Sequence, residues 1–329
     1  MNHPNPVRRT AMLAALTTLL ASPLASAQPA GTDYPTKPIT IVAAYPPGGS
    51  TDLTTRFVAQ EMSEHLGVPV VVENVSGAGG AIGAYKVARG APDGYTLMVG
   101  ASNELAINKL ITKNSKYDLK DFTGIGLIAT QPLVLVASAQ AGPKTAAEFM
   151  QKAAQNPGKL NYGSSGVGTA LHLAGEMIQQ QGSVSLTHVP YRGVAPLAAD
   201  LMGNNLEYGV FVLSSGLPHI QSGKVVALGT TAAKRSSLTP DVPALAELPQ
   251  LKNMDIEVWF ALVGPAKLPE AVKAKLKTAL NATLQSPEFR KKMTSTGSTV
   301  ADAAVPIDAF MQGEVEKLRK VVEFAKIEQ

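Results

Sequence analysis

The sequence predicts an α/β protein built from two βα series, each forming one lobe. Three observations predict it. Short apolar runs alternate with segments of helical spacing. Glycine-rich turns stand where successive strands hand over to helices. The strand–helix order restarts after Phe122, and the helices near the C-terminus exceed what the second series needs.

Taken in order, Ile39 to Tyr45 is a continuous apolar run, as expected of a strand buried on both faces. Ser50 to Leu66 places Leu53, Phe57, Met62 and Leu66 near one helical face. Pro69 to Glu73 reads as a strand, Gly80 to Arg89 as a helix and Tyr95 to Gly100 as a third strand. The second series runs from a strand at Pro132 to Ser138 through a helix at Thr145 to Gln155 and a short strand at Leu160 to Tyr162. It continues with a helix at Thr169 to Gln181, a strand at Leu186 to Val189 and a helix at Val194 to Leu201. Leu206 to Leu213 and Val225 to Gly229 are two more strands, and Pro240, Pro243 and Pro249 mark irregular chain. Glu257 to Val263 reads as a strand returning to a sheet, followed by amphipathic helices at Pro269 to Leu284 and Pro306 to Ala325. The expected division is residues 28–130 with 253–329 in one lobe and residues 131–252 in the other. Two chain crossings then form a hinge beside a ligand cleft.

The N-terminus reads as an export signal. Arg8 and Arg9 precede an apolar run from Ala11 to Leu20, and Ala25-Ser26-Ala27 is a small-x-small cleavage site. The apolar core is shorter than the roughly 20 residues that span a bilayer. Thr10-Ala11 follows the arginine pair where a twin-arginine signal carries bulky apolar residues, so both export routes stay open. Removing residues 1–27 takes away two arginines and no acid, so the net charge falls from +4 to +2. The sequence has no cysteine, which excludes disulfides, thiol catalysis and cysteine metal sites. Basic clusters interleaved with aromatics are missing, so no nucleic acid is expected as a partner. No later run is long and apolar enough to cross a membrane, and an exported, periplasmic protein is expected.

The stretch AYPPGGSTD, Ala44 to Asp52, joins the first strand to the first helix. In parallel α/β sheets ligands gather where strand C-termini meet helix N-termini, and the N–H groups there favour anions. The prolines stiffen such a loop and the glycines let a ligand approach the backbone. Ser76 to Gly80, Gly163 to Thr169 and His188 to Gly193 offer further junctions of this kind. Carboxylates match several backbone donors around an uncharged cleft. The first loop lacks the GK[ST] ending of a P-loop, and neither it nor Gly77 to Gly83 fits the dinucleotide fingerprint. GSSGVG is not the G-x-S-x-G nucleophile elbow, and nothing in the sequence brings His172 and His188 together beside Ser164 or Ser165. No metal-ligand spacing is present, and neither a cofactor nor an enzymatic activity is expected.

Many of these pieces, in this order, are familiar. They are Tyr34-Pro35 with Lys37-Pro38, Pro46-Pro47-Gly48-Gly49 with Asp52, Glu73-Asn74, Gly77-Ala78-Gly79-Gly80 and Pro92 to Leu97 with Asp121-Phe122. Tyr162 to Thr169 with His172-Leu173, His188 to Gly193, Asp200 to Gly203, Ser222 to Lys224, Pro240 to Pro243 and Trp259 follow. The chain resembles the extracytoplasmic solute receptors of the tripartite tricarboxylate transporter family, the Bug proteins, over nearly all of its mature length. The resemblance implies a bilobal, type II-like periplasmic binding-protein fold with a closing cleft. It implies capture of a small organic carboxylate, aliphatic or aromatic, through backbone N–H groups and ordered waters at the PPGG loop. It also implies delivery to a permease of two unlike integral membrane subunits. Some members are suspected sensors, so a carboxylate sensor with a signalling partner is the alternative, and a serine hydrolase is a third.

The residues expected to bind the ligand follow the loops. They are Tyr45, Pro46, Pro47, Gly48, Gly49 and Asp52 in the first, Gly79 and Gly80 in the second, and Ser102 and Asn103 just past the third strand. The second lobe offers Ser164, Ser165, Gly166, Gly168 and Thr169, then Tyr191 and Arg192, then Ser214. Asp52 reads equally as a helix-start acid or as a group that orients loop waters. Thr169 caps its helix or donates to a carboxylate, and Tyr191 covers the ligand or packs at the lobe edge. Arg192 reaches a distal carboxylate or faces solvent, and Trp259 packs in the hinge or core. Two departures from the family pattern stand out. Asn108 is followed by Lys109 where the family often carries Asn-Pro. Phe211-Val212-Leu213 is followed by Ser214-Ser215 where an acidic residue is common, which argues against an ammonium-bearing ligand. Glu104 beside an anion is unfavourable unless it pairs or faces away, and its role is open.

Overall fold

Strand β1 (Ile39–Ala43) is buried along almost its whole length because parallel neighbours flank it and helices cover it. Those neighbours are β2 (Val70–Asn74) and β3 (Thr96–Ala101). Parallel pairing needs crossovers, which α1 (Ser50–Leu66) and α2 (Ala81–Ala88) supply. The computed structural model describes residues 33–236 and 239–327, so the expected signal peptide lies outside the described residues. Helix α1 turns Val58, Ala59, Met62 and Leu66 into the core. It ends at Gly67, whose φ of 69° lets its N–H reach the Ser63 carbonyl.

Strand β4 (Phe122–Ser138) organises the rest. The sequence predicts a strand only from Pro132, but pairing begins ten positions earlier. Gly124 and Gly126 dilute the apolar run there. A Cβ at Gly126 would lie 2.7 Å from Leu280 Cδ2, so the small residue serves helix packing. The first part of β4 runs antiparallel to β9 (Glu257–Pro265), which also pairs antiparallel with β3. The second part pairs with β7 (Tyr208–Val212) on one side and β8 (Val225–Thr230) on the other. Strand β5 (Asn161–Ser164) lies parallel to both β7 and β6 (Thr187–Pro190). The main sheet order is therefore β2-β1-β3-β9-β4-β7-β5-β6, with β8 and the short β10 (Thr299–Val300) also on β4. Mixed pairing thus joins two parallel βα series through antiparallel strands.

The remaining helices are α3 (Asn108–Ile111), α4 (Ala146–Gln155), α5 (Ala170–Gly182), α6 (Val194–Met202), α7 (Leu213–Gln221), α8 (Glu270–Gln285), α9 (Pro287–Ser295) and α10 (Ile307–Ala325). Thr145 and Thr169 cap α4 and α5 with their hydroxyls. Helix α9 is absent from the sequence prediction because it buries little beyond Phe289 and Met293. Its start was nonetheless written in Ser286-Pro287: the Ser286 hydroxyl accepts the Phe289 N–H, and proline fits the first turn. Ser214 and Ser215, expected in a loop, lie in the first turn of α7. Trp259 is buried in β9 and meets Phe310 of α10 edge to face, with centroids 5.5 Å apart. Among the described residues no helix is long and apolar enough to cross a membrane.

Candidate functional site

The first loop is held from behind by Asp52. Its Oδ2 accepts the Gly48 N–H at 2.9 Å and the Arg56 Nε–H at 3.0 Å. Its Oδ1 accepts from Asn74 Nδ2 at 2.8 Å, and the same Asn74 amide reaches the Tyr45 carbonyl at 2.9 Å. Burial by itself would raise the Asp52 carboxyl. The bonds from Arg56, Gly48 and Asn74 outweigh that and hold it below its ordinary value. Asp52 is therefore the group that shapes the PPGG turn, and the Gly48 N–H is engaged by it. Gly49 occupies the cap position of α1, and no side chain caps this helix. The first-turn N–H groups of α1 thus point along the axis toward the loop. Pro46 and Pro47 are exposed at its rim.

The second loop meets the first through Tyr45. The Tyr45 hydroxyl lies 2.8 Å from Glu104 Oε2 and 3.1 Å from the Gly79 carbonyl, and it accepts from Asn103 Nδ2 at 3.1 Å. Gly80 is required here. Its φ is 94°, and a Cβ would lie 2.9 Å from Glu104 Oε2 and 3.1 Å from the Tyr45 hydroxyl. Glu104 is 1% exposed and accepts the Ala101 N–H at 2.6 Å through Oε1. Burial pushes its carboxyl up to about 7, against the bonds from Ala101 and Tyr45. The question the sequence left open is answered by that geometry: Glu104 pairs inward with the loops. Asn108, where the family pattern is broken, donates to the Ala78 carbonyl at 3.4 Å and to the Tyr117 hydroxyl at 3.3 Å.

The third junction is zipped to the fourth. Tyr191 N–H reaches the Ser164 carbonyl at 3.0 Å and Gly193 N–H the Ser165 carbonyl at 3.2 Å. The Tyr191 hydroxyl is tied to Asp200 Oδ2 at 2.7 Å, so this phenol is already paired. Arg192 is exposed. Gly166 N–H turns back to Ser164 Oγ at 3.2 Å, and Thr169 Oγ1 donates to the Gly166 carbonyl at 2.9 Å. Gly168 N–H is taken by His172 Nδ1 at 3.1 Å. Ser164 Oγ lies 2.7 Å from His188 Nε2, a partnership invisible in the sequence. The pair does not present a nucleophile: Ser164 is fully buried.

Asn103 joins the two series at these loops. Asn103 Oδ1 accepts the Ala170 N–H, the first of α5, at 2.9 Å, while its Nδ2 holds Tyr45. Ser102 is buried beside it, and its hydroxyl has no protein partner. Ser214 stands elsewhere. Its hydroxyl donates to Gln131 Oε1 at 3.0 Å in a buried polar cluster completed by Thr296 and Ser298. Sequence reasoning missed Arg56, Asn74, Gln131 and Glu176. Arg56 and Glu176 had positional signals, four residues after Asp52 and His172 on the same helix faces, and Asn74 stood in a motif without a role. Among the described residues no group of three His, Asp or Glu side chains is arranged to hold a metal.

The arrangement leaves uncharged N–H donors at the uncapped start of α1, while the Asn103 amide ties Tyr45 of the first loop to the N–H of Ala170 at the start of α5. Comparison with known proteins gives that geometry its context. The model of the tripartite tricarboxylate transporter family receptor matches residues 54–327. The periplasmic binding protein BugD is 31% identical, with a TM-score of 0.81 over 90% of this chain and 99% of that one. Rpa4515 of R. palustris, solved with adipate, is 30% identical with a TM-score of 0.84 over 90% of this chain and 99% of that one. MatC of Rhodopseudomonas palustris, solved with bound malate, is 29% identical with a TM-score of 0.79 over 88% of this chain and all of that one. The α/β architecture is that of the periplasmic solute-binding proteins, and the chain belongs to the tripartite tricarboxylate transporter receptor family, the family of the Bug proteins.

Proposed function

We propose that this protein is an exported periplasmic receptor that captures a small dicarboxylate between two lobes and delivers it to a permease of two integral membrane subunits. The observation that carries the reading is the Asn103 bridge, which ties Tyr45 of the loop leading into α1 to Ala170, the first residue of α5. Each helix start favours an anion by about 0.3–1 kcal/mol, and each N–H bond to a carboxylate adds roughly 1.5–3 kcal/mol. A few such bonds shared between lobes supply micromolar affinity and favour the closed form. The adipate and malate of the two R. palustris proteins are both dicarboxylates, in keeping with donors on two sides of a cleft.

The lobes in this reading divide at β4, whose partners change from β9 to β7 between Pro132 and Leu133. The second crossing is the Thr231–Ile256 contact, where Ile256 N–H reaches the Thr231 carbonyl at 3.0 Å and Thr231 N–H the Leu133 carbonyl at 2.9 Å. The ligand set is Gly49 with the α1 start, Asn103, Ser102 and Ser165, with Asp52, Tyr45, Gly48 and the cap residue Thr169 supporting from behind. The protein is not an enzyme in this reading, and residues 1–27 are removed on export.

The test is a thermal-shift screen of stripped, refolded mature protein against mono-, di- and tricarboxylates, aromatic acids and acidic amino acids. A ligand that binds only the folded state raises its apparent stability, by about 2.7 kcal/mol at a hundredfold excess over Kd. A saturable shift with dicarboxylates is expected. Folded protein that responds to no acid would overturn the receptor reading.

A further inference from the structure

A buried line of polar side chains runs behind the 163–169 loop. Ser164 Oγ lies 2.7 Å from His188 Nε2. The His188 and His172 rings stack, with centroids 3.7 Å apart and planes within 12°. His172 Nδ1 accepts the Gly168 N–H at 3.1 Å, and its Nε2 lies 3.5 Å from Glu176 Oε1. Glu176 also accepts from the Tyr162 hydroxyl at 2.8 Å. Gly175 protects this arrangement, since a Cβ there would lie 2.1 Å from Tyr162 Cε2.

Resting on the receptor reading, we propose that His172 and His188 are positioning residues for the ligand loop. Stacked as neutral rings, they fix Gly168 and Ser164, and a single proton added to the stack at His172 Nδ1 breaks the Gly168 contact, releases the loop and weakens carboxylate capture. The argument is geometric. An Nδ1 that accepts a backbone N–H carries no proton, so protonating it sets two donors face to face. A second positive charge on a ring 3.7 Å away is repelled at close range. The ionisable groups that face the stack are Glu176 on α5 and Tyr162 on β5, whose ring centroid is 5.0 Å from that of His188. Burial first, and His172 second, press His188 down to about 4, while Glu176 acts the other way. Burial opposes ionisation of Glu176, but its bonds from His172 and Tyr162 keep its carboxyl below its ordinary value. The acid under the stack therefore stays charged.

Two substitutions separate positioning from mere packing. In His172→Asn the Oδ1 stands where Nδ1 stood, and in His188→Gln the amide end stands where Nε2 stood, so both bonds persist without a titrating ring. His172→Leu removes the acceptor altogether. Wild type, the His172→Asn/His188→Gln double variant and His172→Leu would be titrated with adipate and with malate from pH 7.5 to pH 4.5. The Gly168 amide would be followed in parallel by NMR of 15N-glycine-labelled protein. Comparing proteins at each pH cancels the protonation of the acids themselves. The double variant is expected to bind as wild type at pH 7.5 and, at pH 4.5, to outbind it by roughly threefold or more. His172→Leu is expected to bind about tenfold more weakly at every pH, the worth of one lost hydrogen bond. The Gly168 amide should move on acidification in wild type and stay still in the double variant. Parallel affinity curves together with an unmoving Gly168 amide in wild type would overturn the proposal. If neither acid binds at pH 7.5, the dicarboxylate reading fails separately, and the Gly168 amide alone decides this one.

Discussion

Asn103 Oδ1 sits 2.9 Å from the backbone nitrogen of Ala170. A residue that follows β3 thereby satisfies the first free donor of α5, while its own amide group holds Tyr45. A single side chain thus ties the first ligand loop to the third. Asn103→Ala should weaken capture of the best-bound acid by about tenfold, and should cost the unliganded protein about 1 kcal/mol because the Ala170 N–H loses its acceptor. Calorimetric titration checks this. An affinity within twofold of wild type would remove the bridge from the account.

Asp52 accepts from Gly48, Arg56 and Asn74 at once. Asp52→Ala leaves the Gly48 and Asn74 donors without their acceptor, at a cost of about 1–3 kcal/mol. Urea unfolding should show that loss, and carboxylate affinity should fall with it because the PPGG turn is released. The pH dependence has a definite sign. The folded carboxyl binds its proton less readily than the unfolded one. Its stabilisation is therefore complete above the ordinary value near pH 4 and is lost as pH falls through the folded one. Wild type and Asp52→Ala should converge in stability on strong acidification, and a constant gap would contradict the assignment.

Glu104 has the opposite sign. Its folded carboxyl is raised to about 7, so between that value and its ordinary one the native state keeps a proton the unfolded chain has lost. Stability therefore falls as pH rises through this window. Glu104→Gln imitates the protonated form and can still meet Ala101 and Tyr45. The stability of Glu104→Gln relative to wild type should grow from pH 5 to pH 8, by at most on the order of 2–3 kcal/mol. Glu257, also raised to about 7, keeps part of the slope in the variant. Parallel stability curves for the two proteins would show that burial of Glu104 costs nothing.

Gln131 lies where β4 changes partners, and it gathers Ser214, Thr296 and Ser298. Gln131→Leu leaves the Ser214 hydroxyl without its acceptor, while Thr296 and Ser298 keep their bonds to Met293 and to each other, and should cost roughly 1–3 kcal/mol. Ser214→Ala should cost about 1 kcal/mol and leave ligand affinity unchanged, since its hydroxyl is committed to Gln131. Denaturant unfolding and calorimetry on the same preparations check both statements. A large affinity loss in Ser214→Ala would return this serine to the ligand set.

The strand–helix alternation, the glycine turns at the junctions and the family motifs were legible because each is a local pattern of a few residues. The apolar run of β1 and the helical spacing of α1 act within one or two turns of chain. Other features depended on how distant segments pack. Gly48, a candidate donor in the sequence, has its N–H engaged by Asp52 once Asn74 and Arg56 arrive from β2 and α1. Glu104 looked hostile to an anion until burial between Tyr45, Ala101 and Gly80 turned it inward. Ser214 left the loop for the polar cluster because Gln131 lies opposite it. His172 and His188 stack only because α5 packs over the β5–β6 pair. Periodicity and turn chemistry are properties of neighbouring residues. Desolvation, hydrogen-bond satisfaction and ring stacking are set by contacts between segments far apart in the chain, and those come into being only when the sheet closes around β4.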